Sequence, residues 1–115
     1  MIFGDTISIL RPSVVRDRYN NEVLDWENAT SIPVERLVSV QPAGSTEGAG
    51  GRAVAQVSSW RLFTPAGVDL DLLPTDRVFH RGRYLEVVGE IERWPHPIIP
   101  GAVHHIEANL QKASD

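Results

Sequence analysis

Apolar and polar residues alternate with a period of two along most of the chain, and that period predicts strands. In the first predicted strand, residues 5–11, Ile7 and Ile9 share one face while Thr6 and Ser8 take the other. Pro12 is expected to end it, because proline cannot donate to a ladder. Val14-Val15 and Val23-Leu24 flank Asn20-Asn21. Asparagine tolerates the left-handed backbone of a tight turn, so a hairpin is expected here. The link to Pro33 is polar and expected to be irregular. A strand over 34–41 sets Val38 and Val40 on one face.

The pattern then breaks. Residues 42–52 include four glycines and no large apolar side chain, so burial cannot offset the entropy of ordering them. They are expected to form a mobile loop inserted in a single domain, 1–115, since neither flank could hold its own core. Strand character returns over 53–63, where the apolar parity switches and predicts a bulge near Ser58-Ser59. Thr64-Pro65-Ala66-Gly67 fits a type I turn. A hairpin around Arg81-Gly82 spans 76–88, a short strand is expected over 90–94, and Pro95, Pro97 and Pro100 keep the next stretch extended. Ile106, Ala108 and Leu110 alternate with polar residues in a last strand, 103–112. No segment has a sustained helical period. The pattern predicts an all-β fold, a small β-barrel of about six to eight short antiparallel strands with one long Gly-rich loop.

Composition narrows the function. The chain has 115 residues and no cysteine, so disulfides and thiolate metal sites are excluded. A net charge of −4 lacks the basic excess of a free-standing nucleic-acid binder. The first residues have no signal-peptide pattern, and no apolar run is long enough to span a membrane. His104 and His105, adjacent on a strand, are expected to face opposite sides and not to share an ion, while His105 and Glu107 share a face. Two ligands fall short of a zinc site, so no metal site is expected. Asp69/Asp71 and Glu90/Glu92 read as solvated carboxylates. No nucleophile elbow or phosphate loop is present, and no enzymatic activity or cofactor is expected. Trp26, Trp60 and Trp94 read either as core or as interface anchors.

Several segments together carry a resemblance. They begin with Asp17-Arg18-Tyr19-Asn20-Asn21-Glu22-Val23, then Asp25-Trp26, then Val40-Gln41-Pro42 leading into a Gly/Ser/Glu loop. They continue with Trp60-Arg61-Leu62-Phe63-Thr64-Pro65, Gly67, Asp69-Leu70-Asp71 and Asp76-Arg77-Val78. Gly82-Arg83-Tyr84-Leu85-Glu86-Val87, Arg93-Trp94-Pro95-His96-Pro97 and His104-His105-Ile106-Glu107 complete the set. In this order, from about Arg16 to Leu110, the chain resembles the head-to-tail stopper proteins of long-tailed bacteriophages.

That resemblance implies a small β-barrel that joins a ring of its own copies in the virion neck, after synthesis in the bacterial host cytoplasm. Its partners would be the portal and adaptor proteins on the capsid side and the tail tube or tail terminator on the other. Packaged DNA would pass through the channel without sequence-specific binding, and no membrane is involved. The channel gate would fall on Gly44, Ser45, Thr46, Glu47, Gly48, Ala49, Gly50, Gly51 and Arg52, where Glu47 and Arg52 offset one another. Arg18, Trp26 and Trp94 are candidate interface residues. Two alternatives stand beside it: a tail terminator or other tail-end connector, and a β-barrel nucleic-acid module stacking bases on Tyr84, Phe79 and Trp60.

Overall fold

Residues 1–46 and 56–113 are described by a computed structural model. Among these described residues seven strands are formed: β1 (Ser8–Arg16), β2 (Glu22–Pro33), β3 (Ser39–Thr46), β4 (Gln56–Phe63), β5 (Arg77–His80), β6 (Arg83–Pro95) and β7 (Val103–Lys112). All pair antiparallel in one sheet of order β2-β1-β5-β6-β7-β4-β3. No helix occurs among the described residues, and the all-β expectation holds.

The core lies on one face. Ile7 and Ile9 from β1 and its lead-in, Val38 and Val40 from β3 and its lead-in, Trp60 and Leu62, Val78, Leu85, and Ile106, Ala108 and Leu110 form one buried cluster. Leu70 and Leu72, from the β4–β5 connection, complete it. β4 and β7 give alternate residues to this cluster, β1, β3, β5 and β6 give one each, and β2 gives no buried residue.

The sheet curls until its two sides meet, yet it is not a closed barrel. β1 and β3 lie five places apart in the sheet order, and their lead-ins are joined by a single bridge, Asp5–Val38. Asp5 N donates to Val38 O and Val38 N to Asp5 O, both at 2.9 Å, and Val34 N donates to Ile7 O at 3.1 Å. The Asp5 carboxylate extends the seam: Val40 N donates to Oδ2 at 2.9 Å, and His80 Nε2 lies 3.3 Å from Oδ1. Burial raises the Asp5 pKa, but these hydrogen bonds and the charges of His80 and Arg81 outweigh it and hold the carboxyl below 3.8.

Local expectations are met in part. Asn20 takes a positive φ of 64° in the β1–β2 turn, and Arg81 and Gly82 take 48° and 78° in the β5–β6 turn, the pair of left-handed residues a two-residue hairpin favours. The bulge near Ser58-Ser59 is present: Gly44 pairs with Ser59 and Ser45 with Val57. Pro12 does not end β1. It sits buried where residues 26–29 of β2 bulge out between the pairs Arg11–Thr30 and Ser13–Asp25, a place where no ladder bond is asked of it. The link to Pro33 is therefore strand, not irregular coil. The turn after β4 shifts by one residue, with Val68 N donating to Pro65 O and Gly67 at φ 84°.

The strands outrun the core they cover. A 115-residue domain of ordinary shape has a radius of gyration of about 13 Å; here it is 16.3 Å, with extents of 49 × 47 × 22 Å. β1 and β6 flank β5 and both run antiparallel to it, so they run in one direction. Both continue past the pairs that Arg77 makes with Leu10 and Glu86. The β1–β2 and β6–β7 hairpins thus leave the core at the same end, as two arms. The end of β3 and the start of β4 lie at the opposite end, because β4 runs with β6 on either side of β7.

Removing the Asp5 carboxylate leaves the Val40 N–H without its acceptor. Asp5→Ala is expected to lower the unfolding free energy by about 1–3 kcal/mol in urea titrations. A carboxyl held below 3.8 in the folded chain stabilises above that pH and ceases to do so as pH falls through its folded value. Wild-type stability should therefore decline below about pH 4 more steeply than that of Asp5→Asn; identical acid profiles would contradict the seam.

Candidate functional site

The first arm is a two-stranded ribbon with a fixed tip. Asp17 Oδ1 accepts from Tyr19 N and Asn21 N, both at 2.9 Å, and Asp17 N donates to Asn21 O at 3.0 Å. Arg18 lies over the Tyr19 ring at 5.2 Å, and Tyr19 is 72% exposed. Behind the tip, Val14 opposes Leu24 on one face of the ribbon and Val15 opposes Val23 on the other. All four are exposed. No residue of the 12-residue edge strand β2 is buried.

Trp26 stands at the root of this arm. The β2 bulge that carries it is held by Glu27 N and Asn28 Nδ2 donating to the Asp25 carboxylate, and by Ser13 Oγ donating to Asn28 O at 2.7 Å. The Asn28 bond, the largest influence, and the backbone bonds lower the Asp25 pKa against the opposing effect of desolvation. The Arg77 guanidinium of β5 covers the Trp26 ring at 4.0 Å, leaving the indole half-buried.

The second arm joins the outer half of β6 to the start of β7. Gly89, at φ 75°, opens a bulge in which residues 89–91 face Ala108, between the pairs Val88–Asn109 and Glu92–Glu107. Glu92 and Glu107 are like charges in direct opposition, which alone would weaken the ladder. Arg61 of β4 resolves this: its Nη2 lies 3.0 Å from Glu92 and 2.9 Å from Glu107, and Nη1 donates to Asn109 Oδ1 at 2.6 Å. Burial raises the Glu107 pKa, but bonds from His105 and Arg61 and their charges carry it below 4.5. Further out, Trp94 stacks on His105, with centroids 5.9 Å apart and planes 6° from parallel. The tip presents Ile98 and Ile99, 83% and 55% exposed.

The two roots are lashed to one segment. Arg11 of β1 pairs with the buried Asp76 at 2.9 Å and donates to Asp71 O at 2.9 Å. Arg93 of β6 donates to Leu70 O and Leu72 O at 3.1 and 3.0 Å and pairs with Asp69. The β4–β5 connection, which also buries Leu70 and Leu72, so ties both arms to the core.

Among the sequence-derived candidates, Arg18 and Trp94 are exposed on different arms, and Trp26 is half covered by its own chain. They do not converge on one patch. Of the gate residues, Gly44, Ser45 and Thr46 belong to β3 and pair with Ser59, Val57 and Gln56, so the loop does not begin at Pro42. Glu47 through Arg52 lie outside the described residues. Trp60 is core, at 4% exposure, which removes it from a base-stacking surface and leaves Phe79 and Tyr84, 4.9 Å apart and exposed. Residues 14, 15, 23, 24, 98 and 99 went unselected as sites, although aliphatic pairs of both parities beside a turn, and an Ile-Ile between two prolines, are visible signals of exposed apolar surface.

The histidines differ from expectation. Trp94 pairs with His105 but Pro95 with Val103, so His104 is an extra residue in β7. A one-residue bulge brings neighbouring side chains to the same side, and His104 Nδ1 lies 2.9 Å from His105 Nδ1. His105 Nε2 bonds Glu107 Oε2 at 3.0 Å, as their shared face predicts. His80 is elsewhere, buried beside Asp5. Among the described residues no group of three or more His, Cys, Asp or Glu is placed to hold a metal.

Arg61→Ala should cost about 1–3 kcal/mol of stability, through lost charged hydrogen bonds and the exposed Glu92–Glu107 opposition. Adding Glu92→Gln should recover part of that loss in the same denaturant titration; full additivity would show that the two carboxylates do not couple through Arg61.

No family model matches the chain, and a search of curated proteins finds no match.

Proposed function

We propose that this chain is a structural subunit of a bacteriophage neck, a stopper-like protein that joins a ring between portal and adaptor on one side and the tail on the other. In that role it helps retain packaged DNA and offers the tail a docking surface; it performs no catalysis. The ordered sequence resemblance motivates the reading, and one structural observation supports it: two arms that bury almost nothing of their own.

An isolated two-stranded ribbon is marginal in water. This one carries aliphatic pairs on both faces, and a long exposed edge strand is a template for pairing with another chain. Such features are a liability in a monomer and an asset in an assembly, where each face meets a neighbour. A ring interface is heterologous, and a ribbon with two apolar faces can sit between different surfaces.

A nucleic-acid module is a second reading, favoured by the exposed Phe79–Tyr84 pair beside Arg81 and Arg83. Salt-dependent binding of short oligonucleotides by the free protein would favour it.

The deciding experiment adds purified protein to DNA-filled, tail-less capsids that lack it and follows DNase-sensitive leakage. The neck reading predicts co-sedimentation and reduced leakage. Deleting residues 47–51, which follow the last β3–β4 pair, Thr46–Gln56, should leave the sheet pairing intact and restore the leakage. Binding to tails but not capsids would turn the reading to a tail terminator, and binding to neither would overturn it.

A further inference from the structure

The second arm ends in an ordered apolar knob. His96 Nδ1 accepts from Ile98 N and Ile99 N at 3.1 and 3.0 Å, and His96 N donates to Ala102 O at 2.9 Å. Ala102 N donates to Ile99 O at 3.3 Å, and Gly101 makes the turn at φ 76°. Pro97 and Pro100 fix φ on either side of the isoleucine pair. Ile98 and Ile99 are thus held outward in advance, so little entropy remains to be lost on contact.

The same chain carries a hollow of matching chemistry. An open cleft of about 330 Å³ lies where the end of β4 meets the first half of β7 and the N-terminal lead-in, with Phe3, Phe63 and Ala66 as apolar walls. Its polar lining is largely spent inside the chain. Thr64 Oγ1 donates to Val68 O and accepts from Ile106 N. Glu107, ionised and paired with Arg61, accepts the Nε2–H of His105, and His105 Nδ1 accepts from His104 Nδ1–H at 2.9 Å. A polar ligand finds few partners there, whereas an aliphatic side chain covers groups that are already satisfied. The volume is at the small end for ligand clefts, about 300–1,000 Å³, and suits a side chain better than a large ligand. Neither isoleucine lines the cleft of its own chain.

We propose that the Phe3–Phe63 cleft receives the Ile98–Ile99 tip of a second copy of this chain, and that this contact, repeated around a closed circle, joins neighbouring subunits. The proposal rests on the ring reading above and names its contact. A closed ring needs two different, matching surfaces on every copy. A knob and a hollow at separate places on one chain supply them, since a knob-to-hollow contact is heterologous by construction. The first arm does not fit the cleft in this way, because Val14/Leu24 and Val15/Val23 lie on the flat faces of a ribbon.

The chain has no cysteine, so introduced thiols report the contact without background. Ile98 and Ala66 are both exposed, and replacing them leaves the core untouched. The experiment treats chains carrying Ile98→Cys and Ala66→Cys together with an oxidant or a short bis-maleimide, free at high concentration and bound to DNA-filled, tail-less capsids. Products are resolved on denaturing gels. A ladder of multimers is expected. Chains with Ile98→Cys alone, mixed with chains with Ala66→Cys alone, should stop at dimers, and neither should crosslink efficiently by itself. Adding Ile99→Asp to the double variant should abolish the ladder with the far-ultraviolet spectrum unchanged. His96→Ala, which frees the tip, should slow crosslinking about fivefold. No ladder on capsids that the protein nevertheless seals would overturn the tip contact and leave the neck reading standing. A ladder from free chains that bind neither capsids nor tails would support the contact and remove the neck reading. Efficient dimers from Ile98→Cys alone, or crosslinking of Ala66→Cys to a capsid protein instead of a second copy, would also overturn the contact.

Discussion

One residue, Asp5, holds the seam on which this fold depends, with its backbone bridge to Val38 and its carboxylate on Val40 N. An antiparallel sheet that curls far enough to bury one face brings its first and last strands together, and the backbone groups along that seam must find partners. Among the described residues the lead-ins of β1 and β3 meet in one bridge, so Asp5, with the Val34 N–Ile7 O bond beside it, takes up most of the work of a ladder. Asp5 supplies it with its own N–H and C=O to Val38 and with its side chain to Val40 N and His80. Without that acceptor a β3 amide would be stranded next to Ile7, Val38 and Val40, among the better buried residues of the core.

Because the seam closes at one end, the core is complete without the outer halves of the strands. β1, β2, β6 and β7 nevertheless continue past it. Their roots are fixed by Arg11, Arg61 and Arg93, each spanning separate segments, while their outer surfaces keep Val14, Leu24, Trp94 and Ile98 in solvent. Firm roots and unburied tips are the features on which the proposed assembly role rests. That physical circumstance links the sequence resemblance to an assembly role. The two bulges, at residues 26–29 and 89–91, set where each arm departs from the core sheet.

Much of this was legible in the sequence, and the failures share a cause. Alternation at Ile7/Ile9, Val38/Val40 and Ile106/Ala108/Leu110 marked core faces correctly, and Asn20 and Arg81-Gly82 marked their turns. What periodicity could not reveal was where it slips. Pro12 looked like a stop because the bulge that excuses its missing N–H lies in the partner strand, fourteen or more residues away. His104 and His105 looked like opposite faces because strict alternation assumes no extra residue, and the extra residue is defined only by its register against Trp94 and Pro95. Trp26, Trp60 and Trp94 are chemically alike, and only tertiary placement separates a core indole from a stacked, exposed one.

The central claim is that the arms are unprotected in the free chain and become covered on assembly. Hydrogen exchange on free protein and on protein bound to capsids tests it most directly. The account predicts slow exchange for Val40 and the core strands in both states. Residues 14–24 and 92–103 should exchange fast in the free chain and slow sharply on capsids. Arms as protected as the core in the free chain, with no change on binding, would contradict it.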